Sequence, residues 1–94
     1  MKSNISVESI GDTEFRVIVT EGATQASHRV TLKQKDYDRL TAGKVVPSEL
    51  VRMSFEFLLQ HESKESILPR FDLMEIARYF PAFEREISHR LSKP

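Results

Sequence analysis

The chain contains no cysteine and only three glycines. The first absence excludes a disulfide framework, a thiol nucleophile and a thiolate metal site. The second argues against backbone-lined phosphate loops, and no glycine-rich dinucleotide loop, phosphate loop or GxSxG nucleophile elbow occurs. Charge of one sign is also missing, since 14 basic residues balance 14 acidic ones. Nucleic-acid binders are usually basic, because neutralising phosphates drives much of their affinity; balance weighs against that class while leaving room for a local basic face. Low net charge also weakens colloidal repulsion and suits a chain that self-associates or sits in a complex. No stretch approaches the roughly 20 apolar residues of a membrane span. Met1 to Glu8 is polar, unlike a secretory signal. The expectation is a cytoplasmic protein with no membrane partner.

What is present is 39% hydrophobic and 30% charged residues over 94 positions, which places residues 1–94 in one globular domain. Folding a chain of this size buries roughly 65% of its extended surface, enough for one modest core. The N-terminal third alternates as strands do, over about residues 4–33. Ile5 and Val7 share a face in "ISVESI". In "TEFRVIVTE", Phe15, Val17 and Val19 point one way and Glu14, Arg16 and Thr20 the other, with Ile18 interrupting the polar face. Gly11-Asp12 marks one turn and "GATQAS" a second. "HRVTLK" then places Val30 and Leu32 inward and Arg29, Thr31 and Lys33 outward.

Helices are predicted over about residues 35–92. "QKDYDRLTAG" pairs Tyr37 with Leu40 and stops at Gly43. The main helix runs from Pro47 to about Gln60, with Pro47 at a first helical position and only Arg52, Ser54, Glu56 and Gln60 polar along its middle. "SKESILP" reads as one turn capped by Ser63 and closed by Pro69. In "FDLMEIARYFPAFEREI", Asp72 and Glu75 have capping-box spacing and Phe71 and Ile76 staple spacing, predicting a helix start at Asp72. Leu73, Ile76, Ala77 and Phe80 follow one stripe. Pro81 breaks it and opens a last helix striped by Phe83, Ile87 and Leu91. The fold expected is α+β: a small antiparallel meander of about three strands packed on a central helix, with short C-terminal helices.

Catalytic chemistry finds little support in these residues. His28, His61 and His89 fall on a strand and two separate helices, with no second His three or four residues from any of them. Carboxylate pairs such as Glu62/Glu65 and Glu84/Glu86 sit among basic residues on predicted solvated faces. No catalytic, cofactor or metal residue is assigned, and no small-molecule substrate is indicated.

Three resemblances follow from the patterning. Arg29 to Leu59 resembles a ribbon-helix-helix regulator: a strand, a short helix, a glycine turn and an apolar helix. That family reads DNA with outward strand residues of a two-chain ribbon, which implies Arg29, Thr31 and Lys33 here. "MEIARYF" is similar to the first helix of a helix-turn-helix, although "AFEREISHRL" offers acids beside its arginines and suits a helical hairpin on the core better. The segment Glu49 to Ile87, with "SFEFLL", "KESIL", "RFDL" and "YFP", resembles a family of small uncharacterised bacterial proteins; it implies a shared compact fold and carries no activity or ligand. Eight phenylalanines and tyrosines exceed what one sheet face needs. Of these Tyr79, together with Met74, lies off the main stripe. Met74 and Tyr79 are therefore the candidate interaction surface of a non-enzymatic module that binds a protein partner or itself. A DNA-binding regulator or antitoxin is the second reading.

Overall fold

A computed structural model describes residues 3–92. Strands β1 (Asn4–Ser9), β2 (Glu14–Glu21) and β3 (Thr24–Thr31) pair antiparallel in sequence order. Their alternation separates an inner face, where Phe15, Val17, Val19 and Val30 are buried, from an outer face that carries exposed Ser6, Glu8, Arg16 and Ser27. The second turn is tighter than the sequence reading had it. Glu21 already pairs with Thr24, because Gly22 adopts a positive φ of 62° that lets the chain reverse at once. Thr24 to Ser27 are therefore strand, and Lys33 lies beyond its end.

After β3 the chain forms α1 (Gln34–Thr41) and α2 (Pro47–Leu59). Thr41 locks the end of α1: its buried hydroxyl donates to the Tyr37 carbonyl at 2.9 Å and accepts the Gly43 N–H at 3.0 Å. Pro47 opens α2, where a missing N–H costs nothing. The helix lies against β1 and β2 on one side and meets the last helix on another. Leu50, Val51, Phe55 and Phe57 are almost fully enclosed. Burying each such side chain contributes about 1.5–3 kcal/mol. Ser54, read as one of the polar positions, is wholly buried; its hydroxyl donates to the Leu50 carbonyl at 2.8 Å, so no polar atom is stranded.

Beyond α2, a single 3-10 turn at Lys64–Ser66 leads to β4 (Arg70–Asp72), α3 (Glu75–Tyr79) and α4 (Phe83–Ser92). The fold is α+β, but the sheet has four strands in the order β1-β2-β3-β4, and β4 runs parallel to β3. The expected three-strand count is corrected on that point. Phe71, expected to staple a helix, pairs with Val30 in the sheet and packs on Phe55 at 6.0 Å between ring centroids. Pro69 sets an extended approach, and the burial of Phe71 rewards it. The helix predicted from Asp72 begins at Glu75. Its cap survives in altered form: Glu75 Oε2 accepts the Asp72 N–H at 3.2 Å, and Asp72 Oδ1 accepts the Met74 N–H at 2.9 Å. Ser63 does not cap the 3-10 turn; its hydroxyl meets that of Ser66 at 3.1 Å. The break at Pro81 lies where expected, although α4 starts two residues later, at Phe83.

Candidate binding groove and outer sheet face

The C-terminal end of α2, the segment Ser66 to Phe71 and α3 enclose an open groove of about 390 Å³. This lies within the range of about 300–1,000 Å³ for small-ligand and peptide-anchor sites. Leu58, Ile67, Phe71 and Ile76 form its buried apolar floor. Two large apolar side chains on its margin face solvent, Tyr79 at 69% exposure and Leu68 at 47%. Phe80 joins the groove to an aromatic cluster: Phe57 lies 5.8 Å from it and His61 5.1 Å. The charged groups of the groove are both acidic, Glu62 and Glu75.

The two residues singled out as an interaction surface do not lie together. Tyr79 lines the groove. Met74 is half-buried elsewhere, with its sulfur 3.6 Å from Nη2 of Arg39. That guanidinium is held by Glu84 through contacts of 2.7 and 3.4 Å, which raise the Arg39 pKa and tie α1 to α4. Sequence reasoning missed Leu68, whose only local signal is an apolar residue placed just before a proline.

The residues of the DNA reading are also separated. Arg29 and Thr31 are on the outer sheet face, whereas Lys33 pairs with Asp72 at 3.6 Å. Strand β3 is interior, bonded to β2 on one edge and β4 on the other. The two-chain ribbon implied by the ribbon-helix-helix resemblance therefore has no free edge on this strand. The histidines lie apart: His28 is buried in β3, while His61 and His89 are exposed. Among the described residues, no group of three or more His, Asp or Glu side chains is arranged to hold a metal ion.

A polar cluster fastens the 3-10 turn to the end of β2. Lys64 is almost enclosed, with Nζ 2.6 Å from Glu65 Oε2 and 3.2 Å from Glu21 Oε1. The Ser3 hydroxyl donates to the other Glu21 oxygen at 2.6 Å. Hydrogen bonds from Ser3 and then Lys64 hold Glu21 below the usual carboxylate range, and Lys64 does the same to Glu65. Glu65, followed by Glu21, raises the Lys64 pKa against the opposing effect of burial.

No protein-family model, curated protein or solved structure matches the chain. Among the described residues, no helix is long and apolar enough to cross a membrane.

Proposed function

We propose that this chain is a non-enzymatic interaction module whose groove at Tyr79 takes an apolar segment of another protein carrying a basic residue. The observation behind this reading is the placement of Tyr79 and Leu68: two large, exposed apolar side chains flank one apolar hollow. Aromatic residues at such margins are common anchors of binding energy. Glu62 and Glu75 supply the charge preference, since carboxylates beside an apolar floor favour a lysine or arginine on the incoming segment. In this reading α2 is the central helix of the domain and its C-terminal end is the wall of the site. The cytoplasmic setting rests on the sequence composition. Membership of the small bacterial family that Glu49 to Ile87 resembles is part of the same proposal. A self-associating chain, with a second copy seated in the groove, is the competing occupant.

Selection from a random peptide library on the immobilised protein tests the reading, with light scattering to record self-association. Enriched peptides should be apolar with a lysine or arginine. They should perturb the NMR signals of Ile76 and Phe80 and bind about tenfold more weakly to a Leu68→Ser/Tyr79→Ser variant. Peptides that bind this variant as well as the native chain would refute the site. A dimer abolished by the same variant would assign the groove to a second copy.

A further inference from the structure

On the outer sheet face, Arg16 is opposite Arg29, and Arg29 is opposite Arg70. Three arginines thus form one row across three neighbouring strands. Strand spacing places their backbones only about 4.8 Å apart. Like charges directly opposite one another are destabilising, and an ordinary surface disperses or pairs them. Pairing accounts for one end of this row, where Glu8 takes Arg16 at 3.1 Å. Arg39, Arg52, Arg90, Lys33 and Lys64 are likewise paired with carboxylates. Among the described residues, no carboxylate lies within 4.0 Å of Arg29 or Arg70. The fold therefore sets two uncompensated guanidinium groups side by side on an open face, with Ser27 and Thr31 two positions either side of Arg29.

We infer that Arg29 and Arg70 bind a phosphate monoester between them. Paired planar guanidinium forks match the oxygens of a tetrahedral anion and can each engage two of them. The surroundings select a single dianion over a polymer. Glu8 closes the row at one end, and the next row carries Glu14 and Asp72 beside Thr31. Those carboxylates leave no basic track along which a nucleic-acid backbone could continue, and the chain as a whole carries no net positive charge. The inference uses no residue of the groove and stands or falls separately from the proposed function.

The test is a titration followed by NMR of the arginine side chains, at constant ionic strength and about pH 8, where a phosphate monoester is a dianion. Inorganic phosphate, ribose 5-phosphate and a phosphoserine pentapeptide are the probes, with sodium chloride as the reference. Saturable shifts at Arg29 and Arg70 are expected. Arg29→Gln and Arg70→Gln should each weaken binding by about tenfold or more, and Arg85→Gln should leave it unchanged. Arg29→Lys should recover only part of the loss, because charge returns without the fork. The tighter of the two organic probes identifies the source as a small metabolite or a modified protein side chain. Shifts that fail to saturate, that chloride reproduces, or that Arg85→Gln reduces equally would overturn the inference. Circular dichroism of each variant separates lost binding from lost folding.

Discussion

His28 Nδ1 lies 2.9 Å from the carbonyl oxygen of Leu68, a contact spanning 40 residues of sequence. A carbonyl can only accept, so Nδ1 carries the hydrogen and donates it. The other ring nitrogen, Nε2, is buried with no hydrogen-bond partner in the structure. The ring itself packs on Phe55 at 5.4 Å. His28 thereby fastens one margin of the groove to the centre of the sheet. His28→Ala should destabilise the fold by about 2–4 kcal/mol, the sum of a lost hydrogen bond and a cavity beside Phe55. Urea denaturation measures the loss, and long-range nitrogen NMR should show hydrogen on Nδ1. A cost below about 0.5 kcal/mol would mean that the contact does not organise this margin.

The same contact shows where the sequence stopped being informative. Helix α2 is legible locally: Pro47 marks its first turn and nearly every following position is apolar. The inward faces of β2 and β3 follow equally from alternation. Strand β4 does not, because three residues carry no periodicity and Phe71 is decided by Val30, far away in the chain. Local capping chemistry at Asp72 and Glu75 was real, yet it operates after a strand. Tyr79 could be picked out as an aromatic with no place on the stripe. Leu68 and the neighbouring Arg29 and Arg70 become notable only once tertiary pairing brings their surroundings together.

Acid should loosen the cluster around Lys64. Glu21 and Glu65 have pKa values below their ordinary 4.5 in the folded chain. The unfolded chain therefore binds more protons as pH falls through 4.5, and folded stability drops until the depressed values are passed. Lys64 works in the opposite sense: its pKa is raised above 10.5, so its contribution is complete below that pH and disappears as pH rises through the raised value. Lys64→Met keeps most of the buried stem and removes the charge. Thermal melts across pH should show a shallower acid decline for Lys64→Met than for the native chain. Parallel declines would place the acid sensitivity elsewhere.

Stability and binding should separate at the aromatic end of the molecule. Phe57 is 2% exposed and meets Phe80, Phe83 and His61 ring to ring. Phe57→Ala should cost about 3–5 kcal/mol, the range for deleting a buried aromatic. Tyr79→Ala removes a side chain that faces solvent and should change stability by no more than about 0.5 kcal/mol. Chemical denaturation of both variants gives the comparison. If Tyr79→Ala costs as much as Phe57→Ala, its ring supports the core and the argument for a binding anchor fails.

Arg39 and Glu84 offer a test of how α1 and α4 are held together. Their contact is two-pronged, at 2.7 and 3.4 Å, but half of the Arg39 side chain and 40% of Glu84 remain open to solvent. Exposed pairs of this kind contribute about 0.2–1 kcal/mol, because water already solvates both charges and the side chains lose freedom on pairing. Salt weakens them further, with screening over about 8 Å at physiological ionic strength. A double-mutant cycle with Arg39→Ala and Glu84→Ala should therefore give a small coupling that falls as salt is added. Arg39→Ala alone should cost more than that coupling, because the guanidinium also covers the Met74 sulfur. A large coupling, unchanged in concentrated salt, would mean that the pair is effectively desolvated in solution. The α1–α4 contact would then be more closed than the exposure of these two side chains implies.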